Sequence, residues 1–193
     1  MTGEAPSTGP GNGRPLVVLV GPPAAGKSVV GTMLAEHFGT AFVDTDADVA
    51  AAAGKPVGDV FVEDGEPAFR ELERAAAGRA LAARGAVVAL GSGAVLDPGI
   101  QQLLAGQPVA YLAAGFTAIA RRLGLDRPRV IIPGNPRGRL RSLLEERRPV
   151  YERLAAFTVP SGDLAPEEIT DEIVAWLEKA SHQGPAPDGA PAR

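Results

Sequence analysis

Short apolar runs and longer stretches of helical periodicity alternate along most of the chain. The apolar runs have the length and the β-favouring composition of strands, and they lie at 15–20, 41–44, 86–90, 108–112 and 157–159. Between them, the spacing of apolar residues predicts helices at 27–38, 47–53, 66–84, 98–105, 116–123, 137–155 and 166–179. Strands that alternate with helices in this way form parallel sheets. The pattern therefore predicts an α/β fold of three α/β/α layers with a central parallel sheet of five strands.

Both ends of the chain lack this periodicity. Residues 1–13 and 181–193 are rich in glycine, proline, alanine and serine, and such segments bury too little apolar surface to offset the entropy of ordering. We predict that both are disordered tails. The 193 residues suffice for one domain with a proper core but not for two, so residues 14–180 are predicted to form that domain.

Composition and charge exclude several classes of function. A net charge of -4 argues against a protein that binds nucleic acid by neutralising its phosphates. The chain has no cysteine and two histidines, which excludes disulfides, thiolate catalysis and metal sites built from these residues. No apolar run approaches a membrane span, and the N-terminal residues do not resemble a secretory signal. We expect a cytoplasmic protein without nucleic-acid or membrane partners and, since no heptad pattern occurs, a monomer.

A glycine-rich loop joins the first predicted strand to the first predicted helix. Residues 21–28 read Gly-Pro-Pro-Ala-Ala-Gly-Lys-Ser, which is the pattern of a phosphate-binding loop. In such a loop the backbone N–H groups and the helix N-terminus face an anion, Lys27 adds a full charge, and Ser28 offers a hydroxyl to Mg²⁺. The alternative is an ordinary glycine turn with a solvated lysine. The preceding strand and the helical spacing that ends at Gly39 favour the phosphate loop, and hence a nucleoside triphosphate as ligand.

Arginines and prolines are concentrated in the segment 124–138, where a regular helix is not expected. Cationic loops beside phosphate sites are candidates for lids that close over a triphosphate and exclude water. We predict that this segment is a mobile lid. The alternative is a solvated connection between two helices.

Two aspartates, Asp44 and Asp46, come at the end of the second predicted strand. A spacing of two in an extended chain places both carboxylates on one side of the sheet, at the edge where ligands bind to open parallel sheets. Asp44 would hold Mg²⁺ through water, and Asp46 would grip or deprotonate a hydroxyl. The alternative is that both cap the following helix, as aspartate commonly does. The spacing leaves both interpretations open, and Asp48 is predicted to start that helix.

Further motifs follow the phosphate loop in a fixed order. They are Asp44-Thr45-Asp46, the segment 61–66, Phe69-Arg70 with Glu73, the segment 90–94, the arginine-rich loop and Arg147-Arg148-Pro149-Val150-Tyr151. Each motif alone is weak, but the ordered set, over about residues 15–178, resembles the shikimate kinases. The resemblance implies a P-loop kinase fold with a mobile lid. It also implies Mg²⁺- and ATP-dependent phosphorylation of the 3-hydroxyl of shikimate, on the route to chorismate and the aromatic amino acids.

The resemblance also implies roles for individual residues. Asp46 would bind the shikimate hydroxyls and accept the proton, while Asp44 and Ser28 would organise Mg²⁺. Arg70 and Arg147 would clamp the substrate carboxylate, as a bidentate guanidinium does. From spacing alone, Arg70 has an alternative role as a surface partner of Glu73 three residues later.

The remaining implied residues line the substrate pocket and the ATP site. Gly91, Ser92 and Gly93 would line the pocket, with Phe61 and Phe69 as its apolar wall. Arg122 would lie near the adenine, and Arg129 would act with Lys27 and Asp46 in catalysis by contacting the transferring phosphate. The loop residues expected at ATP are Gly21, Ala24, Ala25, Gly26, Lys27, Ser28 and Val29.

The chain departs from the usual pattern of that family at several positions. Ala24 stands in place of a glycine, so the loop is strained if this residue is left-handed. Val29 replaces a small hydroxyl residue, and Ser92 replaces the middle glycine of a glycine run. Arg129 is followed by Val130 instead of leucine, and Arg127-Pro128 offers a second register for the lid arginine.

Two other functions remain open at this point. One is a kinase of another small acidic polyol such as gluconate, built on the same fold. The other is a nucleotide-binding module that has lost catalysis, which the substitutions at Ala24, Ser92 and Val130 suggest. The complete set of side chains for phosphoryl transfer favours an active kinase with ATP and shikimate as its partners.

Overall fold

Five parallel strands form one sheet in the computed structural model, which describes residues 13–126 and 135–182. The strands are β1 (Val17–Val20), β2 (Phe42–Asp44), β3 (Val87–Ala89), β4 (Val109–Ala113) and β5 (Phe157–Pro160). Their order in the sheet is β2-β3-β1-β4-β5, and each neighbouring pair is parallel. The predicted five-stranded parallel sheet is thus confirmed, with each strand within two residues of its expected bounds.

Eight α-helical segments connect and cover the strands in the described part of the chain. They are α1 (Lys27–Phe38), α2 (Thr45–Ala53), α3 (Val57–Asp59), α4 (Gly65–Leu81), α5 (Pro98–Leu104), α6 (Phe116–Arg122), α7 (Pro136–Leu154) and α8 (Pro166–His182). The sequence did not predict α3, nor the π-helical turn Val60–Asp64 and the 3₁₀ turn Ala94–Leu96. These pieces are too short to show a periodic pattern.

Apolar side chains fill both faces of the sheet. Val17 and Leu19 of β1 pack on one side with α1, α6, α7 and α8. Val18 and Val20 pack on the other side, mainly with α4 and α5. All four side chains of β1 are fully buried, which explains why the sequence of this strand is an uninterrupted apolar run. The three layers predicted from the sequence are therefore present, and β1 delivers the loop that follows it to the centre of the sheet edge.

The start of α2 differs from the prediction. Asp44 Oδ1 accepts a hydrogen bond from the backbone N–H of Asp46 at 3.0 Å, so the helix begins at Thr45 and not near residue 47. Asp46 and Asp48 both lie in its first turn, where carboxylates suit the positive end of the helix dipole. Asp46 is thus helical, and the expectation that both aspartates extend from one strand was wrong.

The predicted lid and the predicted C-terminal tail each overlap a helix. Pro136 starts α7, and Asn135 Oδ1 accepts from the N–H of Gly138 at 2.8 Å, so residues 136–138 are helical. Asparagine followed by a first-turn proline is a strong signal for a helix start. The helix therefore begins inside the segment for which the prolines had predicted a loop. At the other end, α8 continues to His182, so Ser181 and His182 do not belong to a tail. Residues 1–12, 127–134 and 183–193 lie outside the described residues.

Among the helices of residues 13–126 and 135–182, none combines the length and the apolar character that crossing a membrane requires.

Candidate active site

The loops that follow β1, β2 and β3 meet at the carboxyl edge of the sheet, the usual ligand site of open α/β sheets. The phosphate loop connects β1 to α1 in this place. A Cβ atom at Gly21 would lie 2.7 Å from the carbonyl oxygen of Leu112, so only glycine lets the loop pass so close to β4. Gly26, with a φ of 101°, precedes α1, and no side chain of the described residues caps this helix. The first N–H groups of α1 are therefore free of the side-chain partner that usually competes with an anion.

Ala24 is left-handed, with a φ of 57°. It is the single non-glycine residue with positive φ in the part of the chain that the structure describes. The strain foreseen from the sequence is therefore present. Arg122 Nη1 donates to the carbonyl of Ala24 at 2.9 Å, and its Nη2 donates to the carbonyl of Ser161 at 2.6 Å. Arg122 thus joins the phosphate loop to the loop after β5.

Lys27 folds back onto its own loop. Its Nζ donates to the carbonyls of Gly21 at 3.0 Å and Pro22 at 3.1 Å. Burial lowers the pKa of Lys27 from 10.5 to about 8, although the carboxylates of Asp46 and Asp44 oppose this shift. An anion beside this desolvated amine would favour its charged form and raise the pKa again.

Asp44 uses its two oxygens for two separate contacts. Oδ1 caps α2, as described above, and Oδ2 accepts a hydrogen bond from Ser28 Oγ at 2.6 Å. The helix-capping interpretation is therefore confirmed for Asp44, while its second oxygen lies next to the hydroxyl of Ser28. A hydroxyl and a carboxylate oxygen held together in this way are the hard ligands that Mg²⁺ prefers, so the residues present fit that ion.

Asp46 lies against the glycine run after β3. A Cβ atom at Gly91 would lie 2.5 Å from Oδ1 of Asp46. Between the two aspartates, the buried hydroxyl of Thr45 accepts a hydrogen bond from the N–H of Gly91 at 2.9 Å, which fixes this approach. The pKa of Asp46 is raised by desolvation and by Asp44, while Lys27 opposes the rise. The sequence reasoning assigned no role to Thr45, although its place between the two aspartates was a usable signal.

Arg70 pairs with two acids of its own helix. Its Nη1 lies 2.7 Å from Oε2 of Glu73, and its Nη2 lies 3.2 Å from Oε1 of Glu66. The pair with Glu73 is not a surface pair, because Glu73 is only 3% exposed. Burial raises the pKa of Glu73, and Arg70 opposes that shift. Glu73 belongs to the site, a role that the sequence reasoning did not give it.

Arg147 approaches the same glycine run from α7. Its Nη1 lies 3.2 Å from Oγ of Ser92. A Cβ atom at Gly93 would lie 3.8 Å from this Nη1 and 3.0 Å from Nη1 of Arg70. The two guanidinium groups therefore border one point beside Asp46. Among the described residues, no carboxylate lies within 4.0 Å of the charged nitrogens of Arg147.

Two aromatic rings lie next to Arg70. The rings of Phe61 and Phe69 meet edge to face with centroids 5.7 Å apart, and the guanidinium carbon of Arg70 lies 5.3 Å from the Phe69 centroid. Phe69 is buried and Phe61 is 44% exposed.

Of the ATP-loop residues, Ala25 is buried and Val29 is exposed. Arg129 and its rival Arg127 lie outside the described residues.

This fold, with a phosphate loop beside a carboxylate and two convergent arginines, defines the class of P-loop kinases that act on small molecules. The family model "Shikimate kinase" matches residues 23–178. A shikimate kinase from Thermobifida fusca is 50% identical over 167 residues, covering 86% of this chain and 97% of its own. One from Frankia casuarinae is 46% identical over 175 residues, covering 91% and 78%. The chain therefore belongs to the shikimate kinase family, and it is a kinase.

A solved structure agrees with this assignment. Shikimate kinase from Acinetobacter baumannii in complex with shikimate superposes with a TM-score of 0.78 at 28% identity, covering 88% of this chain and 95% of that one. A gluconokinase from Sinorhizobium meliloti, at 21% identity and a TM-score of 0.58, shares the fold alone.

Proposed function

We propose that this chain transfers the γ-phosphoryl group of ATP to the 3-hydroxyl of shikimate, giving shikimate 3-phosphate and ADP on the route to chorismate and the aromatic amino acids. The observation that carries the proposal is the convergence of Arg70 and Arg147 on Gly93, next to the carboxylate of Asp46. An acceptor with one carboxylate and several hydroxyls suits two guanidinium groups beside a base. Family membership supports the same substrate.

On the donor side, ATP is assigned to the phosphate loop. Its triphosphate would take the free N–H groups at the start of α1 and the charge of Lys27. Arg122, which contacts the loop at Ala24 and the segment after β5, is proposed to lie near the adenine, as the family resemblance implies. The full set of residues is Gly21, Ala24, Ala25, Gly26, Lys27, Ser28, Val29 and Arg122, with Arg129 added by the family resemblance.

Mg²⁺ is assigned to Ser28 and Asp44, whose oxygens already lie 2.6 Å apart. When bound with ATP, the ion supplies positive charge to the phosphate oxygens during transfer. Lys27, which is mostly protonated below pH 8, would add its charge, and the triphosphate would raise its pKa again. Asp44 holds the start of α2 at the same time, so the site requires no rearrangement of that helix.

On the acceptor side, Asp46 is assigned to the reacting hydroxyl. Desolvation raises its pKa, which makes its carboxylate a stronger base toward the hydroxyl proton. Arg70 and Arg147 would hold the substrate carboxylate, with Gly91, Ser92 and Gly93 lining the pocket and Phe61 and Phe69 as its apolar wall. Arg70 is kept in place by Glu73. The enzyme is further proposed to act as a monomer in the cytoplasm, where ATP is available.

A coupled assay of ADP release tests the proposal directly. Purified protein with ATP and Mg²⁺ is supplied with shikimate, with gluconate or with no acceptor. We expect turnover that depends on shikimate and stays at background with gluconate. Protein that binds ATP but releases no more ADP with shikimate than without it would overturn the proposed function, and turnover with gluconate would redirect it.

A further inference from the structure

We propose that Ser92 is a positioning residue, which sets the guanidinium group of Arg147 in place before the substrate carboxylate arrives. This inference rests on the proposed function, in which Arg147 binds that carboxylate. The residue is a departure of this chain, because the family resemblance leads one to expect glycine at this position.

Helix α7 holds Ser92 at two points. Arg147 Nη1 lies 3.2 Å from the hydroxyl oxygen, and the hydroxyl of Tyr151 donates to the carbonyl oxygen at 2.6 Å. Arg147 and Tyr151 are four residues apart, so both project from one side of the helix. Tyr151 is 1% exposed and stacks on Tyr111 of β4 with centroids 5.1 Å apart. The main chain of Ser92 is therefore fixed to the core, and its hydroxyl is a fixed acceptor for Arg147.

The middle of the glycine run admits a side chain that its neighbours do not. At Gly91 a Cβ atom would collide with Asp46, and at Gly93 it would press on Arg70. Ser92 has no such conflict, and its φ is not positive, since Ala24 alone of the described non-glycine residues has a positive φ. Serine at this point therefore costs no backbone strain.

A neutral hydroxyl orients Arg147 without cancelling its charge. Arg70, by contrast, is already paired with Glu73 and Glu66. The Ser92 hydroxyl accepts a hydrogen bond from Arg147 Nη1, and the Tyr151 hydroxyl, also neutral, contacts the Arg147 side chain as well; within the described residues, the Nε of Arg147 is buried and unpaired. The Nη1 contact occupies one of the five N–H groups of Arg147 and leaves others for a carboxylate, which a guanidinium binds through two parallel N–H groups. Because a free arginine side chain has many rotamers, fixing it in advance lowers the entropic cost of binding.

The test compares Ser92→Ala with Ser142→Ala, a control on the exposed side of α7. Binding of shikimate is measured by calorimetry, and kcat and both KM values by ADP release. Loss of one hydrogen bond predicts that the Kd and KM for shikimate rise roughly three- to tenfold in Ser92→Ala. The kcat and the KM for ATP should change by less than roughly twofold, because neither depends on this contact. Ser142→Ala should match the wild type.

Measuring the effect of Ser92→Ala both in the wild type and in Arg147→Ala separates positioning of Arg147 from a general structural effect. In Arg147→Ala, adding Ser92→Ala should raise the Kd for shikimate no further, because the hydroxyl acts through the missing side chain. An equal further rise in that background would overturn the proposal. Tyr151→Phe should weaken shikimate binding in the same direction, and Ser92→Gly provides a variant with the family residue if Ser92→Ala folds poorly.

A measurement on the protein without substrate distinguishes failure of this inference from failure of the proposed function. The nitrogen-15 resonance of Arg147 Nε–H, assigned with Arg147→Lys, should broaden or shift in Ser92→Ala. An unchanged resonance would overturn the positioning role. If the wild type gave no shikimate-dependent ADP, the proposed function would fail, while this resonance would still decide whether Ser92 positions Arg147.

Discussion

Replacing Ala24 with glycine should stabilise the protein, although glycine usually has the opposite effect. Ala24 has a φ of 57°, where the Cβ of an L-residue crowds its own backbone at a cost of roughly 1–2 kcal/mol. Glycine removes this cost but gives the unfolded chain extra freedom, worth about 0.4–1 kcal/mol. The centres of the two ranges differ by about 0.8 kcal/mol in favour of the variant. The contact with Arg122 should persist, because it uses the backbone carbonyl of Ala24.

The same substitution at Ala51 is the matched control. Ala51 is exposed in α2 and has no positive φ, so Ala51→Gly should lower the free energy of unfolding by about 0.5–1 kcal/mol. Urea unfolding and thermal melting of the wild type and both variants, without ATP, measure the two effects. For a protein of this size, Ala24→Gly should raise Tm by about 2–3 °C and Ala51→Gly should lower it by a similar amount.

The signs of the stability changes in Ala24→Gly and Ala51→Gly decide whether the loop is strained. If Ala24→Gly were destabilised as much as Ala51→Gly, the left-handed conformation of Ala24 would be refuted. A preformed loop carries its strain with and without ATP, and a ligand responds only to differences between the two states. We therefore expect the Kd for ATP to change by less than roughly twofold in Ala24→Gly.

Three further predictions address the proposed chemistry. Asp46→Asn should lower kcat by about 10²–10⁴-fold, as loss of a general base does, while calorimetry shows that ATP binding is retained. Asp48→Asn, in the same helical turn, is the control. A kcat near that of the wild type in Asp46→Asn would rule out the proposed role of Asp46 as a base. Gly93→Ala should raise the KM for shikimate roughly tenfold in the ADP assay. Its Cβ would lie 3.0 Å from Nη1 of Arg70, and a displaced Arg70 would misplace the substrate. Gly58→Ala is the control and should leave the KM unchanged, because its Cβ meets nothing within 4 Å. The affinity for ATP should fall as pH rises through about 8, because above that value Lys27 is neutral in the free protein and must take up a proton to bind phosphate. Calorimetry at pH 9 in two buffers of different ionisation enthalpy measures this proton uptake, and its absence would contradict the prediction. Lys27→Met should abolish the proton uptake.

The sheet and the phosphate loop were predictable because local signals agree there. A β-favouring run ends at a glycine, a helical pattern follows, and Gly39 terminates α1 in the left-handed conformation. The segment that carries Phe61 was not predictable in the same way. Its π-helical turn Val60–Asp64 spans five residues, which is too few for periodicity. The ion pairs of Lys55 with Glu63 and Asp64, which tie this turn to the end of α2, join residues that sequence spacing does not connect.

At Asp44 and Arg70, the sequence offered a structural and a functional interpretation as alternatives, and in the structure the short-range contact of each residue keeps its side chain at the proposed site. A carboxylate has two oxygens, so Asp44 caps α2 with one and holds Ser28 with the other. A guanidinium has five N–H donors, so Arg70 pairs with Glu73 and still borders Gly93 with the same charged end. Local spacing detects the structural contact in each case, because that partner is near in sequence. The contact that matters for a ligand comes from another strand or helix, and only folding brings it within reach. A helix cap or a short-range ion pair is therefore no argument against a binding role when its residue stands at the carboxyl edge of a parallel sheet.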